Sequence, residues 1–226
     1  MQIEQMIVRG EWGAGAMIPA EPVLTAQLGV SRNTLREAIR ALTLLGVLEA
    51  RPGAGTFVRS TSVLGASLAR RLVGCSLDEM LEARECLERS AARLAAERRT
   101  DDDVRALVDG VDAIDRAVAA GETTEALTAL AFAQEQRLLA VSRNPILIEL
   151  FDSIAGPVRE AIRTTIETLR NRDELANRGC RLARRLIERI EAGDPDGAEN
   201  VIAEKGRFAR HWLAPHVTDK DERHDG

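Results

Sequence analysis

Residues 21–58 read EPVLTAQLGVSRNTLREAIRALTLLGVLEARPGAGTFV, and three pieces follow one another there without spare residues. The first eight residues place Leu24, Ala26 and Leu28 among polar neighbours and read as a short helix. Gly29 breaks it, Val30 supplies a small apolar staple, and Ser31 is a good N-cap for a second helix. Behind that cap Leu35, Ala38, Ile39, Leu42 and Leu45 recur at helical spacing, and Gly46 ends the run as a C′ residue. Two helices joined by a tight Gly turn form a helix-turn-helix pattern. Residues 47–51 and 56–58 are β-prone and flank Pro52-Gly53-Ala54-Gly55, so they read as a hairpin, or wing.

The chemistry sits at the front of the second helix. Ser31, Arg32, Asn33, Thr34 and Arg36 are polar, and the apolar stripe begins only behind them. A helix that offers its N-terminal turn to a duplex needs hydroxyls for phosphate oxygens and Arg for guanine edges. Its unpaired N–H groups attract phosphate as well. The plain alternative is a capped amphipathic helix with a solvated polar face; the Gly turn before it and the wing behind it argue against that.

These residues resemble a known family. Pro19-Ala20-Glu21, Leu24, Leu28-Gly29-Val30-Ser31-Arg32, Leu35-Arg36-Glu37-Ala38, Leu45-Gly46 and the Gly-rich wing are similar to the winged helix of GntR-type bacterial transcription regulators, over most of residues 8–58. The resemblance implies that Arg32 and Arg36 contact bases or phosphates and that Gly55 brings the wing backbone close to the minor groove. The candidate DNA-binding set is Ser31, Arg32, Asn33, Thr34 and Arg36 on the helix with Arg51, Gly53 and Gly55 on the wing. Pro22 stands where the family usually carries Arg, so one contact of the usual kind is missing or supplied by another residue.

Charge divides along the chain. The first 60 residues hold six Arg (Arg9, Arg32, Arg36, Arg40, Arg51, Arg59) against five acids (Glu4, Glu11, Glu21, Glu37, Glu49), a net of +1. The rest holds 25 basic and 31 acidic residues, a net of −6. DNA binding must then be local and geometric, with a homodimer on an inverted repeat supplying enough contacts. Three cysteines (Cys75, Cys86, Cys180) without a CxxC pair read as small hydrophobes in a reducing compartment. The first residues lack the apolar core and cleavage site of a signal peptide, and nowhere do 18 apolar residues run together. The expected location is cytoplasmic, with no membrane partner.

Residues 2–12 read as an amphipathic helix with Ile3, Met6, Ile7 and Val8 facing inward. Relatives of the resembled family usually begin earlier, which implies a truncated first helix or a misplaced start. The winged domain is assigned to residues 1–58 and a linker to 59–69. From residue 70 to 214 the pattern is helical almost throughout. Ser76 and Thr100 are N-caps with acids following; helices are expected near 76–99, 100–121, 122–141, from Asn144-Pro145 onward, at 172–192 and at 195–213. Gly156-Pro157 is expected to break or kink the fourth of these. Residues 215–226 read as a disordered charged tail. The fold class is therefore mainly α: a winged helix-turn-helix followed by an all-α antiparallel bundle of six or seven helices.

The bundle carries a second resemblance. Glu82-Ala83-Arg84 with Leu87-Glu88, Leu94-Ala95-Ala96-Glu97-Arg98, Ser142-Arg143-Asn144-Pro145 and Gly193-Asp194-Pro195 with Ala198 are similar to the FCD effector domain of the FadR branch of GntR regulators, over about residues 70–212. That likeness implies dimerisation and a pocket for a small organic acid, often beside a metal ion. The family's metal-binding positions fall here on Ala131, Glu135, Ala183 and Lys205, and the three histidines (His211, His216, His224) all lie in the last 16 residues. One carboxylate cannot hold a divalent ion, so no metal and no cofactor are expected. Arg84 matches the family's cavity Arg, and Lys205 would restore a positive charge, with Glu135 as its partner. The candidate effector-binding residues are Arg84, Glu135, Asn144 and Lys205. The competing view makes Arg84 and Lys205 interhelical salt-bridge residues beside a vestigial pocket.

The expected function is a DNA-binding transcription regulator, a repressor, whose helical domain binds a small carboxylic acid. A ligand-free DNA-binding protein with a structural bundle is one alternative. An all-α enzyme is the other, but no Ser/His/Asp or Cys/His set, phosphate loop or metal set supports it. Glu82, Glu85 and Glu88 lie within two helical turns and read as a solvated face.

Overall fold

Leu24, Leu35 and Leu42 are fully buried, and with Ile3, Ile7, Ile18, Val47, Leu48 and Val58 they form one apolar core. The computed structural model describes residues 2–213, and the chain divides at Val73/Gly74 into two units. The first holds α1 (Gln2–Val8), α2 (Glu21–Leu28), α3 (Arg32–Leu44), β1 (Leu48–Arg51), β2 (Gly55–Val58) and α4 (Val63–Leu72). Gly29 ends α2 in the left-handed conformation (φ 64°), and the Ser31 hydroxyl accepts the Thr34 N–H to start α3. The strands pair antiparallel, Leu48 opposite Val58 and Arg51 opposite Gly55. A third segment joins them: Ala16 and Ile18 exchange backbone hydrogen bonds with Val58 and Thr56.

Three readings of this unit change. The first helix stops at Val8, which is 65 % exposed, and only Ile3 and Ile7 of its apolar residues are buried. Residues 59–69 are no extended linker, since α4 occupies most of them and extends past their end, with Ser62 as its N-cap. Ala66 sits in the winged core, and the Arg70 guanidinium donates to the Leu45 carbonyl at 2.8 Å. The sequence hid this helix because Gly65 and Ala66, small residues with little apolar signature, are its buried positions.

Among the described residues, the second unit is a bundle of six helices: α5 (Leu77–Arg98), α6 (Asp101–Ala119), α7 (Thr124–Val141), α8 (Pro145–Ile166), α9 (Arg172–Glu191) and α10 (Pro195–Leu213). Capping boxes open the first two, Ser76 with Glu79 and Thr100 with Asp103. Its core is Ala92, Ala95, Leu107, Val111, Leu138, Ile190, Ile202 and their neighbours. Helix α5 is the hub: it packs against α7, α8, α9 and α10. Helix α8 runs through Pro157 without a break, so of the two expected outcomes, a break or a kink, the break does not occur; proline removes one N–H donor and crowds the carbonyl four residues back, and the rest of the 22-residue ladder continues. The expected tail at 215–226 lies outside the described residues.

Candidate functional site

The front of α3 is an exposed polar surface, but several of its side chains are already committed. Ser31 Oγ caps the helix and lies 2.9 Å from Thr34 Oγ1, so both hydroxyls serve the local turn. Arg32 and Asn33 are exposed beside them. Arg36 Nε donates to Glu21 Oε2 of α2 at 2.9 Å, which ties the two helices and fixes where the guanidinium points. Pro22 sits in the first turn of α2, where a missing N–H costs nothing. On the wing, Arg51 pairs with Glu49 at 3.1 Å and its guanidinium lies 4.6 Å from the Phe57 ring centre. Gly53 is open on all sides. Gly55 has a packing reason of its own: φ is 112°, and a Cβ there would meet Met17 Sδ at 2.9 Å.

In the bundle, four charged side chains from three helices close a ring. Arg84 and Glu88 lie one turn apart on α5, Glu135 comes from α7 and Lys205 from α10. Arg84 Nε is 3.2 Å from Glu88 Oε1, and Glu88 Oε2 is 3.6 Å from Lys205 Nζ. Lys205 Nζ donates to Glu135 Oε1 at 2.8 Å, and Glu135 Oε2 faces Arg84 Nη1 at 3.7 Å. Charges alternate round the ring and sum to zero. Arg84, Glu88 and Glu135 are all buried, and Lys205 keeps 21 % of its side chain exposed. Arg84 also lies 5.7 Å from the Phe132 ring centre.

Burial pushes the Glu88 carboxyl up, and the neighbouring Glu135 charge adds to that, against Lys205 and Arg84. Burial would raise Glu135 too, but Arg84 and Lys205 outweigh it and hold that carboxyl below its usual range. For Lys205, burial would lower the ammonium, and the two carboxylates raise it instead. Hydrogen bonding is less complete than charge pairing. Among the described residues, the buried side-chain atoms without a hydrogen-bond partner are Glu88 Oε1, Gln134 Oε1 and Glu135 Oε2, all acceptors.

Glu135 and Lys205 form the polar end of a cavity of about 30 Å³. Gln134 borders it, and Leu107, Leu138, Ala183, Leu186, Ile187 and Ile190 make its apolar wall. The positions that sequence reasoning set against a metal site thus partly converge: Glu135, Ala183 and Lys205 share this cavity. They do not suit a metal. An ammonium lies 2.8 Å from the one carboxylate at these positions, Ala183 contributes a methyl, and among the described residues no three His, Cys, Asp or Glu side chains are grouped as ligands.

Two site readings are corrected. Asn144 does not reach the cavity; its Oδ1 accepts the Ile146 and Leu147 N–H groups at 3.1 and 3.3 Å and caps α8. The acidic triplet is not one solvated face, because only Glu82 is exposed. Glu85 is half-buried and accepts from Arg210 at 2.6 Å, and Glu88 is in the ring. Gln134 was not singled out from sequence, and Glu88 was read there only as part of a motif and of a solvated face. The signal for Glu88 was its spacing: positions 84, 88, 91 and 95 make one buried face of α5.

The comparisons agree with both units. The family model for bacterial regulatory proteins of the gntR family matches residues 1–58, and the FCD domain model matches residues 79–205. The chain is 30 % identical over 164 residues to the HTH-type transcriptional regulator LutR of Bacillus subtilis, covering 71 % of this chain and 74 % of that one. It is 28 % identical over 169 residues to the galactonate operon transcriptional repressor of Escherichia coli, covering 71 % and 72 %. Among solved structures, Streptococcus agalactiae GntR superposes with a TM-score of 0.57 at 28 % identity, over 93 % of this chain and 96 % of that one. Relatives and fold neighbours are regulators rather than enzymes. The chain belongs to the GntR family of bacterial DNA-binding transcription regulators, in the branch that carries an FCD domain.

Proposed function

We propose that the protein is a homodimeric repressor that binds an inverted-repeat operator through α3 and the wing, and that a small carboxylic acid entering the helical unit changes its operator affinity. The observation that carries the ligand reading is a cation, Lys205, in the lining of an otherwise largely aliphatic cavity in the effector-type domain, with the buried Arg84 outside that lining but in the same charge ring. Relatives named for galactonate and L-lactate dehydrogenase operons point to acids as well. A carboxylate leaving water needs a charge partner, and a Lys point charge beside a planar Arg fork supplies one. A cavity of about 30 Å³ has room for about two waters, so the acid enters by parting Lys205 from Glu135. No helix among the described residues is long and apolar enough to cross a membrane.

The self-neutralised ring favours one other reading, a bundle that dimerises without any ligand. A thermal-shift screen with carboxylic acids separates the two: a stabilising hit supports the sensor, and a melting temperature unmoved by every acid supports the structural bundle.

Three expectations follow from the proposal. Arg36→Ala should weaken binding to a selected operator by about 1–3 kcal/mol and relax specificity at one base pair per half-site. Equal affinity at equal salt would show that α3 does not read the duplex. Light scattering should give a dimer of the 24.7 kDa chain, because a net charge of +1 on one winged unit makes too few phosphate contacts alone. A concentration-independent monomer would remove that claim. Finally, an acid found in the screen should lose at least about tenfold in affinity in Lys205→Met, a change of 1.4 kcal/mol or more, and be indifferent to EDTA. Stoichiometric metal in the purified protein, or a ligand that ignores Lys205→Met, would defeat the assignment.

A further inference from the structure

A ring whose charges already sum to zero has no spare positive charge for an acid. If a plain carboxylate parted Lys205 from Glu135, it would satisfy the ammonium and leave the Glu135 carboxylate, buried on α7, short of a partner. Arg84, 3.2 Å from Glu88 and 3.7 Å from Glu135, would be left as the main cation facing both carboxylates. An acid that brings its own cation would keep the charges of the ring balanced.

The orphaned atoms point the same way. Glu88 Oε1, Gln134 Oε1 and Glu135 Oε2 are buried acceptors in need of a donor, and two of the three belong to residues that line the cavity. Both carboxylates are more than nine-tenths buried, with side chains 3 % and 7 % exposed. An ammonium offers three donors and a unit charge. Beyond the ion pair the wall is aliphatic, made by Leu107, Leu138, Leu186, Ile187 and Ile190, so the remainder of the molecule should be a short hydrocarbon.

We propose that this cavity takes a small aliphatic α-amino acid as its zwitterion, with the carboxylate on Lys205, the ammonium on Glu135 and the side chain against the Leu and Ile wall. The inference rests on the acid-binding reading above and narrows its ligand class. The ligand splits one ion pair of the ring and closes two new ones, so every buried charge keeps an opposite neighbour. Arg84 and Glu88 stay paired on α5. The direct link between α7 and α10 becomes a link through the ligand, and this gives the bound molecule a hold on two helices at once.

Matched sets test it by isothermal titration calorimetry on the full chain at neutral pH. L-Alanine is compared with propionate and ethylamine, and L-valine with isovalerate and isobutylamine. At least one amino acid should bind about tenfold or more tighter than both of its single-charge analogues. In Glu135→Gln, which leaves the ring with an unmatched positive charge, that preference should shrink to near parity or pass to the plain acid. Should that variant fail to fold, the wild-type comparison decides alone. Plain acids that bind the parent as well as or better than the amino acids overturn the zwitterion assignment and leave the acid-binding reading standing. If no member of either set binds, this inference falls, and the carboxylic-acid screen on the same preparation judges the wider reading separately.

Discussion

Two carboxylates and two cations from three helices meet where almost no water reaches, and each is tolerable there only because the others are present. Desolvating an ion costs several kcal/mol even after relaxation, so one missing member would leave a buried charge uncompensated, at about 3–5 kcal/mol. The ring therefore constrains α5, α7 and α10 more sharply than apolar packing does. Aliphatic side chains accept many arrangements of similar volume, whereas Glu88 and Glu135 must each present one oxygen to Arg84 and the other to Lys205. The cavity inherits its polar end from this constraint, and its shape follows from where the ring stops and the Leu and Ile wall begins.

The winged unit solves a different problem with little charge. Its polar turn is organised by local bonds: the Ser31 cap, the Ser31–Thr34 hydroxyl pair and the Arg36–Glu21 bridge. Such bonds reduce the side-chain freedom that would otherwise be lost on meeting a duplex, which suits a surface with only +1 net charge. The bridge between Met17 and Phe57 shows the wing held by a third segment as well as by its two strands.

Much of this was legible in the sequence, and the exceptions share physical causes. Caps such as Ser31, Ser76 and Thr100 announce themselves because a short hydroxyl before an apolar period has few other uses. Helix α4 was missed because its buried face is built from Gly65 and Ala66. Val8 was placed inside because it is apolar and follows Ile7, but it closes the helix on the exposed side. Pro157 does not break α8, since a long helix survives one lost hydrogen bond. Glu88 carried a charge, and charge on a helix face ordinarily means solvent. Only the partner helices, far away in sequence, reveal that it is buried. The pairing of Lys205 with Glu135 was reached from family positions, whereas the closure of the ring through Glu88 needed coordinates. Asn144 shows the reverse error, a residue of a resembled motif whose side chain serves the backbone beside it.

A double-mutant cycle on Lys205 and Glu135 tests the claim that the ring holds these helices together. Unfolding free energies would be measured for the parent, Lys205→Met, Glu135→Gln and the double variant. Trp212 fluorescence in a Trp12→Phe background would report on the helical unit. A shared buried ion pair predicts a coupling of about 1–3 kcal/mol, with the double variant less destabilised than the sum of the single ones. Effects that add within about 0.5 kcal/mol would mean the two charges do not depend on each other, and the ring would not be the constraint described here.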